Sequence, residues 1–346
     1  MKARALLAVV AFAAFAASPS AWSADTLPRA LTQPAVQTPR ALGAATLAVA
    51  RAGARLVAVG ERGTVLLSDD NGTTWRQAQV PVQTTLTAVR FADDHHGWAV
   101  GHLGTVLHST DGGTTWTRQL DGVAAAQSML SAAQRGGDAA LLHRAQRLVA
   151  EGPDKPFLDI EIASPSKIYV VGAYGLAFET DDGGAHWLPI TARLPNPKGL
   201  HLYGVRALGD TVVIAGEQGL LLRSTDNGAS FTAVASPYKG SFFGLLATRD
   251  GLLLAHGLRG HAYRSADRGA SWEPVDTGVT VTIVAGTELA DGAPALLAQN
   301  GDVLISRDNG RSFARQAARD NLAASGLAQA ADGKRVITSL RGVRRD

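Results

Sequence analysis

The chain has 346 residues, a formal net charge of +3 and no cysteine. Without cysteine a disulfide-stapled fold is excluded, so stability must come from a core, which a chain of this length can bury. Apart from Lys2 and Arg4, 31 basic residues face 30 acidic ones, and this balance argues against nucleic acid as a partner.

The N-terminus has the pattern of a secretory signal peptide. A basic start precedes an apolar run over residues 5–17, and small residues follow it. The run is too short to span a bilayer as a stable helix, and no later apolar run approaches that length. We expect residues 1–24 to be a signal peptide, cleaved after Ser23 or Ala24. Residues 25–346 would then form an exported, periplasmic protein that does not itself span the membrane.

A short motif, Ser/Thr-x-Asp-x-Gly-x-x-aromatic, occurs six times with constant internal spacing. Its aspartates are Asp70, Asp111, Asp182, Asp226, Asp267 and Asp308. Three of the five gaps between copies are 41 residues and the others are 71 and 44, so the chain is an array of similar units. Each unit contains four short runs rich in β-branched and aromatic residues, bounded by Gly and Asp. This pattern predicts an all-β fold, a single β-propeller with four strands per blade.

We name the strands of each blade A to D from the axis outwards. The motif, which we call the Asp box, then lies at the turn from strand C to strand D. Its Asp is expected to accept backbone N–H bonds of the turn, and its Gly to supply a positive φ. Because six identical copies cannot all be one active site, the six aspartates are predicted to be structural. No catalytic residue, metal or cofactor is expected from them.

A second motif, Gly-x-x-Gly, lies at the turn between strands B and C. It is degraded to Ala298/Gly301 in the sixth unit and appears once more as Ser339/Gly342, with no box after it. Six complete blades followed by two terminal strands favour seven blades, with six as the alternative. Residues 25–41 are predicted to supply the missing outer strands, so that both termini close blade 7.

Between blades 2 and 3 the repeat is interrupted by about 30 residues of helical character, Val123 to Lys155. Apolar residues recur at helical spacing on both sides of Gly136-Gly137, and Asp138 is placed to cap the second helix. We predict an inserted helical hairpin on the face from which the B–C turns leave. Two hypotheses stay open: the hairpin only packs on the propeller, or it docks a partner.

Long, mostly polar side chains precede the second glycine of the Gly-x-x-Gly turns on that face. Five of these side chains, together with His102 from the neighbouring turn position, form a predicted partner-binding ring. Its members are Arg62, His102, Tyr174, Gln218, Arg259 and Arg341. Three arginines near the axis would suit an anion or an acidic peptide. Ordinary solvated turns are the alternative interpretation.

The boxes resemble the BNR repeats of sialidases and other secreted propellers. Combined with Gly-x-x-Gly turns and seven units, they are most similar to the photosystem II stability/assembly factor family of seven-bladed propellers. The helical insertion and the segment over residues 153–159 resemble exported members from non-photosynthetic bacteria, often encoded near resistance-nodulation-division (RND) export pumps. The resemblance implies a non-enzymatic binding or assembly scaffold for a membrane protein complex or its assembly intermediates. Photosystem II or an RND-type transporter would be that complex.

The alternative function is a secreted, sialidase-like glycoside hydrolase. Such an enzyme needs an arginine cluster, a Tyr nucleophile activated by Glu, and an Asp acid. Tyr174 and Glu217 fall on one turn face, but the Arg-Ile-Pro motif of sialidases is absent. His95-His96 suggests a metal only weakly, since the sequence offers no third ligand beside it. The sequence therefore favours a protein without catalytic residues.

Overall fold

The computed structural model describes residues 27–346 and contains seven antiparallel sheets. The innermost strands of successive sheets contact one another in turn, and the seventh contacts the first. The prediction of a seven-bladed propeller is therefore confirmed. The predicted signal peptide and its cleavage site lie outside the described residues.

In blades 1 to 3 the four strands of each blade pair in chain order. Blade 1 contains β1 (Thr46–Ala52), β2 (Arg55–Gly60), β3 (Val65–Ser68) and β4 (Arg76–Gln77). Blade 2 contains β5 (Leu86–Phe91), β6 (Gly97–Gly101), β7 (Val106–Ser109) and β8 (Thr117–Leu120). Blade 3 contains β9 (Phe157–Ile162), β10 (Ile168–Gly172), β11 (Ala177–Thr180) and β12 (Leu188–Pro189).

Blades 4 to 6 repeat this arrangement. Blade 4 contains β13 (Leu202–Leu208), β14 (Thr211–Gly216), β15 (Leu221–Ser224) and β16 (Thr232–Ala233). Blade 5 contains β17 (Phe242–Ala247), β18 (Leu253–Gly257), β19 (Ala262–Ser265) and β20 (Glu273–Val275). Blade 6 contains β21 (Ile283–Glu288), β22 (Pro294–Ala298), β23 (Val303–Ile305) and β24 (Ala314–Gln316). Strand B is buried along its whole length in blades 2 to 6, because a neighbouring blade covers each face.

Blade 7 has three strands, all from the C-terminal end: β25 (Ala324–Gln329), β26 (Arg335–Ser339) and β27 (Gly342–Arg345). The prediction that residues 25–41 add its outer strands is wrong for the described part of that segment. That part forms a one-turn helix, α1 (Arg29–Thr32), and a 3₁₀ turn (Pro39–Gly43). Pro28, Pro34 and Pro39 lack the N–H donors that a strand ladder needs.

The N-terminal segment lies instead along the outer part of blade 1, and its 3₁₀ turn (Pro39–Gly43) contacts both β4 of blade 1 and β27 of blade 7 without pairing as a strand. Ala35 N donates to Val80 O at 2.9 Å, and Gln83 N donates to Ala30 O at 2.7 Å. Blades 7 and 1 are joined near the axis, where Ser325 Oγ donates to the Thr46 carbonyl at 2.7 Å. The ring is thus closed by side-chain contacts between blades rather than by a shared sheet.

The insertion is a helical hairpin, as predicted, with α2 (Gly122–Gly136) and α3 (Ala139–Glu151). Asp138 caps α3 as expected. The cap of α2, Asp121, lies just before the predicted start of the insertion and accepts two backbone N–H bonds at 3.0 Å. Ala125, Met129 and Ala133 of α2 are buried in a core shared with blades 2 and 3. The hairpin therefore packs on the propeller, and its docking role remains a prediction.

Backbone contacts assign the turns to two faces. Glu61 N, in a B–C turn, donates to Ala45 O before strand A, so the B–C turns and D–A connections share a face, which we call the turn face. Gly112 N, in a box, donates to His95 O of an A–B turn at 2.9 Å, and the other side is therefore the box face. The hairpin begins against the B–C turn of blade 2 and so belongs to the turn face.

Candidate partner-binding face

Each Asp box holds its carboxylate with hydrogen bonds from its own turn. In blade 1, Asp70 accepts bonds from the Ser68 hydroxyl at 2.8 Å, from Thr74 N at 2.8 Å and from the Thr74 hydroxyl at 2.7 Å. These bonds, those from Thr74 first, lower the pKa of Asp70 to about 2. The other five boxes repeat the bonds from the first residue and from the backbone N–H four positions on. Their carboxylates serve the turn, as a structural role requires.

Five B–C turns share one backbone conformation. A Cβ on the first glycine would approach a carbonyl oxygen of the incoming D–A connection, as close as 2.0 Å between Gly60 and Ala45 O. The second glycine has a positive φ, 73° at Gly63. Both positions of the motif therefore require glycine, for different reasons.

The residue before the second glycine is also left-handed, with φ between 52° and 56°. These residues are Arg62, Leu103, Tyr174, Gln218 and Arg259. A left-handed backbone costs a residue with a Cβ about 1–2 kcal/mol, and Asn or Gly tolerates it better. None of the five is Asn or Gly, although each turn would be less strained with one.

The box face has a left-handed position in each turn as well, and there the residue choice differs. Its occupants are Asn71, Gly112, Gly183, Asn227, Arg268 and Asn309. Five of these six are Asn or Gly, as the backbone favours. On the turn face the large side chains are kept in spite of the strain, which is typical of functional positions.

The six predicted partner-binding residues are all exposed on the turn face. Four occupy the left-handed position, whereas His102 lies one residue before it. Arg341 lies in the turn between β26 and β27, without the left-handed conformation, and its N–H donates to Ser339 Oγ at 3.1 Å. Within residues 27–346, none of Arg62, Arg259 and Arg341 is paired with a carboxylate. Three cationic groups are thus available to a ligand.

The glutamates beside this ring are part of the turns. Glu61 accepts from Ala45 N at 3.1 Å, and Glu217 accepts from His201 N at 2.8 Å. In the described part of the chain, no hydrogen bond joins Tyr174 to Glu217. The geometry of a Tyr nucleophile activated by Glu is therefore not formed here.

Tyr174 joins the ring to the hairpin. Half of this side chain is exposed, its carbonyl accepts a hydrogen bond from Arg144 of α3, and Lys155 Nζ lies 5.2 Å from the ring centroid. Its ring contacts His201, at 4.7 Å between centroids, and the His201 ring in turn stacks on Tyr203 at 6.1 Å. An aromatic row thus runs from the hairpin towards the axis.

The sequence reasoning missed His201, Lys155 and Arg144, which come from a connection, a loop and α3. Their relevance depends on packing around Tyr174, so neither motif signals them. It also missed a charged cluster on the innermost strands, whose members are Arg90, Asp159, Glu161 and Arg206. An alignment of the seven A strands would have shown these charges, because most residues at the equivalent positions are small or apolar.

One exposed turn among the described residues brings together side chains of metal-ligand type. Donor atoms of Asp93, Asp94 and His95 lie within 4.8 Å of one another. His95 Nδ1 pairs with Asp94 at 2.7 Å, and His96 Nδ1 pairs with Asp93 at 2.9 Å. These neighbours satisfy one another on an exposed A–B turn, and the expectation of no metal stays a prediction. None of the helices in residues 27–346 has the length and apolar character to span a bilayer.

Comparison with known proteins finds a family model that covers most of the chain. The family described as "Photosynthesis system II assembly factor YCF48" matches residues 68–142 and 139–294. The photosystem II assembly lipoprotein Ycf48 of Synechococcus sp. (strain CC9902) is 34% identical over 123 residues, which are 34% of this chain and 35% of that protein. The alignment therefore spans about a third of the curated relative's length.

Solved structures extend the likeness over nearly the whole fold. A structure of YCF48 bound to D1 peptide covers 92% of this chain and 96% of its own, with 16% identity and a TM-score of 0.63. A streptogramin B lyase structure covers 88% of this chain and 93% of its own, with 12% identity and a TM-score of 0.68. At such identities the likeness shows the propeller fold and does not extend to activity.

Proposed function

The chain belongs to the photosynthesis system II assembly factor YCF48 family, and we propose that it is a non-enzymatic scaffold that binds a membrane protein during assembly of a membrane complex. Its solved neighbour of the same family name binds a peptide of D1, which supports recognition of a peptide segment. The complex would be photosystem II or an RND-type transporter. Export to the periplasm is part of the proposal, supported by the N-terminal pattern and by the relative's name as a lipoprotein.

The observation that carries the proposal is the large side chains at the left-handed positions of the turn face. Arginine at two of them, together with Arg341, makes the ring suitable for an acidic or anionic segment. Tyr174 adds an exposed aromatic ring beside Lys155 and the hairpin. Rigid aromatic and arginine side chains are the usual anchors of protein interfaces.

Site-specific photocrosslinking in the periplasm tests the docking face. A crosslinking residue at Gln218, on the turn face, is expected to capture a membrane protein. The same residue at Asn227, exposed on the box face of the same blade, is the matched control. Capture from position 227 alone, or equal capture from both, would contradict the proposal.

Charge substitutions test the chemistry of recognition. The triple variant Arg62→Gln/Arg259→Gln/Arg341→Gln should reduce capture by about tenfold and weaken its dependence on salt, because exposed charges are screened at physiological ionic strength. A control triple on the opposite side, Arg76→Gln/Arg268→Gln/Arg311→Gln, removes the same charge and should leave capture unchanged. An equal loss in both would indicate net charge rather than a site.

Point variants suit the hairpin better than deletion of Val123 to Lys155. Deletion would expose the core that α2 covers, so a loss of binding would not separate docking from folding. Tyr174→Ala alters the exposed surface beside the hairpin. Reduced capture with unchanged thermal stability is expected of a docking residue.

A glycoside hydrolase has no support from the arrangement of Tyr174 and Glu217. The Glu217 carboxylate holds the backbone of His201, and the tyrosine packs on the same histidine. A fluorogenic sialoside incubated with the purified protein should give no turnover. Turnover lost in Tyr174→Phe would overturn the non-enzymatic proposal.

A further inference from the structure

Blade 7 is the one blade without a strand D among residues 27–346, and the outer edge of β27 is therefore open. Asp346 N donates to Arg335 O at 2.9 Å, so Asp346 and Arg344 face β26. By the alternation of an antiparallel ladder, the backbone groups of Val343 and Arg345 point the other way, to the place of strand D in the other blades. No backbone group of the described chain pairs with them, and the neighbouring 3₁₀ turn forms no hydrogen bond to β27.

The box of a blade also fills space against the preceding blade. Its aromatic residue packs in the core between the two blades, as Trp116 of blade 2 does with Val57 and Leu67 of blade 1. The aromatics in such positions are Trp75, Trp116, Trp187, Phe231, Trp272 and Phe313. Blade 7 has no box in the described residues, and the core between blades 6 and 7 contains no aromatic residue. A groove of about 680 Å³ lies there, and Val303 and Ile305 form part of its floor.

A basic residue where strand B begins pairs with the box of its own blade in two cases. Arg55 Nε lies 2.5 Å from Asp69 Oδ1. Lys167 Nζ lies 2.7 Å from Asp181 Oδ1. Each carboxylate directly precedes the box Asp and lies six positions before the box aromatic. Strand pairing places Lys334 at the equivalent position of blade 7, so this blade has the base without the acid.

The other four blades have neither member of this pair. Their boxes have no acid before the box Asp, and no Lys or Arg stands where their strand B begins. The base and the acid therefore occur together wherever a blade is complete. This internal pattern indicates that a segment placed beside β27 would have an acid opposite Lys334.

The groove as a whole has an excess of positive charge. Its lining contains six Lys or Arg side chains and three Asp side chains. Four of the six pair with Asp, whereas Arg319 and Lys334 have no carboxylate partner in the described part of the chain. Both are exposed. A ligand complementary to this groove combines an acidic residue, an aromatic residue and a backbone that can extend a sheet.

We propose that this groove binds an extended segment of another protein, with an acidic residue six positions before an aromatic one. The aromatic side chain fills the groove between blades 6 and 7, the acid pairs with Lys334, and the backbone pairs with β27. The six boxes of this chain are engaged in their own blades, so a folded second copy offers no such segment among residues 27–346. None of the six partner-binding residues lines the groove, and either proposal can fail without the other.

Fluorescence anisotropy with a labelled synthetic peptide tests the proposal on the purified protein. The probe has the sequence of residues 68–80, a box with its strand D, and contains Asp69 and Trp75. A peptide with Trp75→Ala should bind at least about tenfold more weakly, because the aromatic side chain provides most of the buried area. A peptide with Asp69→Asn should bind about threefold more weakly, as expected for an exposed ion pair. No binding of the probe at about 1 mM, or equal binding of the Trp75→Ala peptide, would overturn the proposal.

A double-mutant cycle assigns the acid to Lys334. Lys334→Gln should weaken binding of the probe about threefold and leave binding of the Asp69→Asn peptide unchanged, because that peptide has already lost the pair. Lys198→Gln removes another exposed lysine, outside the groove, and should bind the probe as the wild type does. Unchanged binding of the probe by Lys334→Gln would refute the assigned pair.

Two variants of one residue test the pairing with β27. Arg345→Pro removes the N–H that faces away from β26, a change that an edge strand tolerates, and should weaken probe binding about tenfold or more. Arg345→Ala removes the same side chain but keeps the N–H, and should bind within about twofold of the wild type. Equal binding by both variants would contradict the pairing. Self-association in sedimentation velocity that Arg345→Pro abolishes would assign the groove to a second copy and overturn the proposal.

Discussion

Blade 4 offers a reciprocal pair of substitutions that tests whether the turn face holds strained side chains. Gln218 has φ 52° on the turn face and Asn227 has φ 53° on the box face. Both are exposed, and neither side chain forms a hydrogen bond within residues 27–346. Asn accepts a left-handed backbone more readily than Gln, because its short polar side chain can bond locally. Gln218→Asn should therefore stabilise the protein, and Asn227→Gln should destabilise it.

The magnitude follows from the cost of a left-handed residue with a Cβ, about 1–2 kcal/mol, of which Asn recovers about half. Each substitution should change the free energy of unfolding by about 0.5–1 kcal/mol, in opposite directions. An unfolding entropy of about 2.1 cal/mol/K per residue makes this a shift of about 1 °C in Tm for a chain of this length. The triple variant Arg62→Asn/Gln218→Asn/Arg259→Asn places the changes on three blades, and the gains should add to about 2–4 °C.

Differential scanning calorimetry on the single and triple variants provides the measurement, and crosslinking provides the second readout. The triple variant should be more stable than the wild type and yet capture less partner. A triple variant with unchanged or lower Tm would show that these backbones are not strained, and the case for retained functional side chains would fail. A triple variant with a higher Tm that still captures as much partner as the wild type would confirm the backbone strain but refute the docking role of these side chains.

Three further changes have defined outcomes. Burial lowers the pKa of His256 to about 4, so the unfolded state binds more protons than the folded state between pH 6.5 and 4. The free energy of unfolding should therefore fall by about 2 kcal/mol from pH 7 to pH 5. Urea titrations should show a smaller fall for His256→Gln. Asp70 has a lowered pKa, so its contribution to the free energy of unfolding is present above about pH 4 and is lost towards pH 2. Asp70→Asn should therefore make Tm less dependent on pH in this acidic range. Met129→Ala opens a cavity under α2 and should cost about 2–4 kcal/mol by chemical denaturation.

The features that the sequence predicted well are those determined by neighbours in the chain. An Asp box forms its bonds within seven residues, so its spacing alone determines its geometry. The hairpin was equally accessible, because capping by Asp138 and the break at Gly136 act over one helical turn. Seven blades followed from the repeat period, since the unit that repeats is also the unit that pairs.

The features that were missed depend on contacts between distant parts of the chain. The segment over residues 25–41 has the composition of a strand between its prolines, but in its described part, residues 27–41, the hydrogen-bond partners come from blade 1 and the connection that follows it. Left-handed backbone at Arg62 or Tyr174 results from the close passage of the D–A connection over the first glycine. Neither fact can be read from a local pattern, because each is set by a segment that approaches from elsewhere.

The central cavity shows how side chains of one blade satisfy the inner strand edge of the next blade. A propeller leaves the inner edge of each strand A without a ladder partner, and here side chains of the preceding blade satisfy some of those groups: Thr87 Oγ1 donates to Phe157 O at 2.8 Å, and Glu161 Oε1 accepts from Ala207 N. Bonding to that edge needs only an amide or a hydroxyl, as Thr87 demonstrates. A glutamate at this place adds a negative charge, which lies 3.6 Å from Arg90 Nε and 3.8 Å from Arg206 Nη1 and so forms ion pairs with the two neighbouring blades.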